Sequence, residues 1–183
     1  SGTVVLLGCM SGYKLGAHEM VLEETVGLVH CIVEAQGRER GHASFVLPRL
    51  PEPIPGAPKQ EDAAAALGLS PDEIGFGAPS RWSAGVPATF VPVRDLEVIA
   101  RAKAAAMFDH AFGREGPAIA YLYCGQTADP AHHFHARMFA PSLGVPEDPA
   151  TGAAAAAFAG LVMETSHPAD GEHRFVIEQG DTG

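Results

Sequence analysis

The sequence predicts an α+β fold with largely antiparallel or mixed sheet, on three observations. Strand-like apolar segments outnumber helical patterns, and their order is not the strand–helix alternation of a doubly wound sheet. The strongest helical pattern, over residues 149–163, consists mainly of alanine and other small residues and carries almost no charge. A helix apolar all round is expected to be buried all round, and one this slender admits close approach from every side, as when a curved sheet wraps it.

The elements follow in chain order. The apolar run after Ser1-Gly2-Thr3 is already under way at the first residue, so a preceding segment is expected. Residues 20–26 and 28–35 read as strands on either side of Gly27, the second with apolar residues on both faces. Residues 42–47 form a third strand. Pro48, Pro51, Pro53, Pro55 and Pro58 then mark an extended surface connection. A short helix over 60–67 stops at Gly68, and Ser70-Pro71-Asp72-Glu73 has the form of a capping box. Residues 75–85, rich in Gly, Ser and Pro, suit a domain boundary, which divides the chain into a first lobe over 1–80 and a second over 81–183. Trp82 within that stretch is expected to pack in a core or interface. A strand over 87–93 precedes a helix capped by Asp95 and running to about residue 110. Strands over 118–124 and 133–139, the alanine-rich helix and a strand over 173–178 complete the chain.

Composition narrows the function. Twelve Lys and Arg against 22 Asp and Glu leave a formal charge of -10, the opposite of the basic footprint that nucleic-acid backbones require. No apolar run approaches the roughly 18 residues of a membrane span, and no export signal is visible, so a cytoplasmic protein with neither nucleic-acid nor membrane partners is expected. Cys9, Cys31 and Cys124 are isolated in apolar settings and lack Cys-x-x-Cys spacing, which makes them small buried hydrophobes in prospect.

Candidate chemistry gathers before the alanine-rich helix, in Glu147-Asp148-Pro149-Ala150-Thr151-Gly152-Ala153. Asp148 followed by proline is a natural N-cap, and on that reading it only closes a core helix. On the functional reading, amides at Thr151, Gly152 and Ala153 and the positive helix end hold an anionic substrate while Asp148 moves a proton. The opening Ser1-Gly2-Thr3 segment repeats the hydroxyl–Gly–small pattern, which suggests an internal duplication. Arg137 suits either a substrate carboxylate or a structural ion pair, and Glu147 is expected to be solvated or to support the Asp148 loop. His132, His133 and His135 lack further ligands at a metal-site spacing, so no metal is expected.

Arg137-Met138-Phe139-Ala140-Pro141 followed by Glu147-Asp148-Pro149-Ala150-Thr151-Gly152-Ala153 resembles the PhzF-like phenazine-biosynthesis family of the diaminopimelate-epimerase fold. Gly85-Val86-Pro87, Arg94-Asp95-Leu96 and Glu178-Gln179-Gly180 support the resemblance in family order. It implies two similar lobes, each a curled sheet around a central helix, the first incomplete here. It also implies a cofactor-independent isomerase that transfers a proton on a small carboxylate-bearing metabolite in the cleft between lobes, and a homodimer. By resemblance Asp148 is the second-lobe acid/base residue, and Gly152 and Ala153 form the substrate-anchoring turn. The chain departs from the family at Ala153, where serine is usual, and it lacks the first-lobe Glu block and the Gly-His-Pro block. Those departures keep open an alternative: a ligand-binding or interaction protein that retains the fold without the acid/base pair.

Overall fold

A computed structural model describes residues 5, 16–24, 27–35 and 41–180. The chain divides into two compact units, residues 1–50 and 51–183. In the first, β1 (Gly16–Glu24), β2 (Gly27–Ala35) and β3 (Gly41–Phe45) form an antiparallel three-stranded sheet in that order. Strand alternation sends Cys31 and Val33 inward, where Met20, Leu22, Val29 and Ala43 pack on them. Leu28 and Ile32 are exposed, so β2 buries one face rather than the two expected. Cys9 and the expected helix at the start of the chain lie outside the described residues, save for a helical Val5.

The second unit is built on a seven-stranded sheet. Its strands are β4 (Glu52–Ile54), β5 (Ser80–Ser83), β6 (Pro87–Pro92), β7 (Ala120–Cys124), β8 (Phe134–Ala140), β9 (Val145–Asp148) and β10 (Ile177–Gln179). The order is β10-β8-β7-β6-β5-β4, with β9 also paired to β8. The β6–β7 and β8–β10 pairs are parallel and the others antiparallel, which makes the sheet mixed, as predicted. Helices α1 (Gln60–Ala66), α2 (Leu96–Arg101) and α3 (Phe108–Phe112) cover one face, over Val91, Leu122 and Phe139. The alanine-rich helix α4 (Gly152–Ser166) covers the other, with Phe158 among Trp82, Phe90, Tyr121, Tyr123 and Met138. The Phe158 ring centroid lies 4.7 Å from that of Tyr123 and 5.0 Å from that of Phe134. Both sheet faces are thus covered, which is why β7 is buried along its whole length. Among the described residues no helix is long and apolar enough to cross a membrane.

Several expectations need correction. Helix α4 is buried along the stripe Ala154, Ala157, Phe158, Leu161 and Val162, while Ala153, Ala159 and Met163 are exposed, so it is not enclosed all round. An apolar composition permits burial on every side, but only the side facing the sheet receives it. The proline-rich connection contains β4, an edge strand, where Pro53 is tolerated because an edge leaves some amides unpaired. Ser80 and Arg81, on either side of the expected lobe boundary, lie inside β5, and the two compact units meet in sequence at Leu50/Pro51. Trp82 is buried as expected. The helix expected to reach residue 110 stops at Arg101, with Asp95 as its N-cap accepting from the Val98 amide at 2.9 Å. Beyond it the Lys103 and Ala105 amides donate to the carbonyls of Leu67 and Ala66, so tertiary bonds replace helical ones.

One glycine of α4 is required by packing. A Cβ on Gly160 would lie 2.6 Å from Pro51 Cβ and 2.8 Å from the Trp82 ring. Alanine gains about 1 kcal/mol in helix propensity, whereas overpacking a filled site costs about 1–3 kcal/mol. Because Trp82 is buried and proline is rigid, the clash outweighs the propensity. Gly160→Ala is therefore expected to lower the midpoint of urea unfolding; a raised midpoint would show that the contact relaxes freely.

Candidate active site

The site rests on the two faces of β9. Asp148 pairs with Met138 of β8, and Met138 belongs to the α4-facing core, so Asp148 points to the α4 side. Glu147, one residue earlier, points to the opposite side and meets Arg137. Its carboxylate accepts from Arg137 Nε at 2.7 Å and Nη2 at 2.6 Å, a bidentate pair. Arg137 Nη1 donates to the carbonyls of Ile99, Ala100 and Ala102 at 2.8–3.1 Å. The guanidinium thereby satisfies carbonyls around the C-terminal end of α2, and it stacks 4.9 Å from the Phe139 ring centroid. Arg137 is buried, on the sheet face away from α4, so its expected role as a substrate carboxylate holder gives way to the ion pair. Glu147 is likewise paired rather than solvated.

Asp148 is not the N-cap of α4. It ends β9, and Thr151 is the N-cap residue, with no capping bond from its side chain to the helix. The Thr151 hydroxyl donates instead to Asp148 Oδ2 at 2.8 Å, and the Ala150 amide approaches Oδ1 at 3.3 Å. Pairing of β9 with β8 holds the Asp148 backbone extended, and the chain becomes helical only after Thr151. The expected set of free amides shifts accordingly. Thr151 donates its amide to Gln179 Oε1 at 3.1 Å, while Gly152, Ala153 and Ala154 occupy the first turn, whose amides have no intrahelical acceptor. Gly152 and Ala153 are exposed, and Asp148 and Thr151 are half-buried. Asp148, Thr151, Gly152 and Ala153 are thus brought together, and Arg137 is not.

Strand β10 supplies residues that the reading of single motifs leaves without roles. The Glu178 carboxylate accepts from the Ala128 amide at 2.9 Å and the Asp129 amide at 2.8 Å, and it meets Nδ1 of His132 and of His135 at 2.8 and 3.0 Å. The two amides first, and then the histidines, hold it down to about 2. Gly180 has a φ of 118°, which suits glycine, and its carbonyl lies 3.0 Å from His135 Nε2. His132 and His135 are thereby engaged with β10, and His133 packs edge-on against Phe175. Cys31 and Cys124 are free and buried, as expected.

A groove of about 710 Å³ runs along the C-terminal half of α4, walled by Ile54, Trp82, Tyr123, Phe134 and Val162. It lies toward the opposite end of a helix about 22 Å long from Asp148, and it contains none of the predicted site residues.

The family described as phenazine biosynthesis-like protein matches residues 2–182. An uncharacterized isomerase from Mesorhizobium japonicum is 39% identical over 98% of this chain and 61% of its own length. Among solved structures, a phenazine biosynthesis protein of the PhzF family from Bacillus anthracis superposes with a TM-score of 0.82 at 23% identity, over 98% of this chain and 60% of that one. A predicted epimerase from Pseudomonas aeruginosa gives 0.71 at 25% identity, over 93% of this chain and 57% of that one. The chain therefore spans about three fifths of the length of these relatives, and their fold is the diaminopimelate-epimerase-like one that the sequence resemblance implies.

Two outcomes test the ionic framework. Arg137→Ala leaves the half-buried Glu147 without its partner and the carbonyls of Ile99, Ala100 and Ala102 without their side-chain donor, and it is expected to cost about 1–3 kcal/mol in chemical denaturation. For Glu178, a carboxyl held low in the folded state binds fewer protons than the unfolded chain does. Its stabilisation is complete above its ordinary value of 4.5 and disappears as pH falls toward about 2. Glu178→Gln should lower stability at neutral pH by about 1–3 kcal/mol and flatten the decline in stability on acidification. An acid limb identical to that of the parent would remove Glu178 from this role.

Proposed function

Because the chain belongs to the phenazine biosynthesis-like protein family, we propose that it carries the acid/base half-site of an isomerase acting on a small carboxylate-bearing metabolite. One observation supports the reading above the others. The two side chains able to cap α4, Asp148 and Thr151, bond to each other instead. The amides of the exposed Gly152 and Ala153 are left without an intrahelical acceptor at the end of the helix that follows a half-buried carboxylate.

The chemistry follows from that arrangement. First-turn amides and the positive end of a 15-residue helix favour a bound carboxylate and the negative charge that develops when the adjacent carbon loses its proton. Asp148 then removes or returns that proton, the transfer being most effective within hydrogen-bond reach. Thr151 donates to one carboxylate oxygen, which leaves the other, Oδ1, with only the long contact to Ala150 and hence as the proton-accepting atom. Such a transfer needs no bound cofactor, because the helix end supplies the electrostatic stabilisation.

The alternative, a ligand-binding protein without turnover, draws on the exposed methyl of Ala153 at the helix tip, where a hydroxyl would add a substrate bond. Exchange in heavy water separates the two. Purified protein incubated in D2O with a panel of small α-amino and α-hydroxy acids is expected to wash deuterium into the carbon next to the carboxylate of an accepted acid, read by proton NMR. Asp148→Asn, which keeps the Thr151 contact, should reduce that rate by about 100-fold or more. Wash-in that survives this substitution would overturn the assignment of Asp148. Binding of an acid without wash-in would favour the alternative.

A further inference from the structure

We propose that Gln179 is a positioning residue for this site, setting the direction of the Thr151 hydroxyl and hence the orientation of Asp148; this rests on the acid/base reading of Asp148. The orientation of its carboxamide is dictated by partners that admit one role each. Oε1 faces the Thr151 amide, which only donates, at 3.1 Å. Nε2 faces the Asp148 carbonyl, which only accepts, at 2.8 Å. The same Nε2 lies 2.9 Å from Thr151 Oγ1. Since an amide nitrogen donates, the hydroxyl oxygen accepts there, and its own hydrogen is directed to Asp148 Oδ2 at 2.8 Å. Donation therefore runs one way, from Gln179 through Thr151 to the carboxylate.

Three further features suit Gln179 to positioning rather than to filling space. It is half-buried, and it bonds both ends of the Asp148–Thr151 turn, so it spans the junction where β9 gives way to α4. Its neighbours on the strand anchor β10 independently: Glu178 holds the turn at residues 128–129 and two histidines, and the Gly180 amide donates to the Ala136 carbonyl at 3.0 Å. Removing the Gln179 carboxamide therefore leaves the strand docked. Threonine at the N-cap ordinarily caps its own helix. Held by Gln179, it serves the carboxylate instead, and the first-turn amides remain open.

The test uses Gln179→Glu and Gln179→Leu beside Thr151→Val. Glutamate keeps the acceptor for the Thr151 amide but puts an oxygen where Nε2 was, so the hydroxyl hydrogen turns toward residue 179 and away from Asp148. Leucine removes the bridge. In protein labelled with 13C at threonine, the hydroxyl-proton signal of Thr151 is expected to shift or exchange away in both Gln179 variants, while circular dichroism stays unchanged. On an acid from the D2O panel that the parent accepts, both variants should lose about 10- to 100-fold in kcat, with KM changed less than threefold. Gln179→Leu combined with Thr151→Val should lose little more than either alone, because the hydroxyl is the shared intermediary. An unmoved Thr151 signal overturns the bridge, whatever the activity. A moved signal with kcat intact, where Asp148→Asn is inactive, overturns the positioning role alone. Wash-in that persists in Asp148→Asn overturns the acid/base reading, and this inference with it.

Discussion

A buried guanidinium must recover from protein what it loses in water, and Arg137 does so from two directions. Glu147 supplies the counter-charge through a bidentate contact, and the carbonyls of Ile99, Ala100 and Ala102, at and just beyond the end of α2, accept from Nη1. Breaking such a pair strands a charge in the interior, so the arrangement is held tightly even where its net contribution is modest. Its geometric consequence is larger than its energy. Once Glu147 is drawn to one face of the sheet, the two-residue period of a strand sends Asp148 to the other, beside the tip of α4. The same contact ends α2 where it does, since carbonyls capped by a guanidinium no longer call for the next helical turn.

The second unit thus separates the Arg137–Glu147 pair from Asp148 by the thickness of one sheet. On one side, charge is neutralised among short helices. On the other, an aromatic cluster around Phe158 seats α4 and orients its axis. The parallel strand β10 lies on the same edge of β8 as β9 and contributes adjacent residues with distinct tasks: Glu178 secures a turn, and Gln179 reaches the β9–α4 junction. Alternation along a strand explains why these neighbours serve different places.

Much of this was legible in the residues. The α+β class, the mixed sheet, the Asp95 cap, the buried Trp82 and the family resemblance all derive from local pattern or from motif, and the structure and its relatives agree with them. Other features had no local signal. The bond from Thr151 to Asp148 looks the same in sequence as an ordinary cap, because Ser, Thr and Asp before a helix signal capping wherever they occur. Gln179 bonds a partner 28 residues away, and Arg137 bonds carbonyls 35–38 residues away.

The residues alone supply an inventory: strands where apolar residues recur, an alanine-rich helix able to approach a sheet closely, and a carboxylate and small residues at its start. Which side chain meets which was set by folding. It paired Arg137 with Glu147, ended α2 early, exposed one side of α4, and turned the Thr151 hydroxyl away from its own helix. Helical and strand periodicity follow from neighbours along the chain. Hydrogen-bond satisfaction of buried polar groups is settled among residues that meet only after the chain has folded.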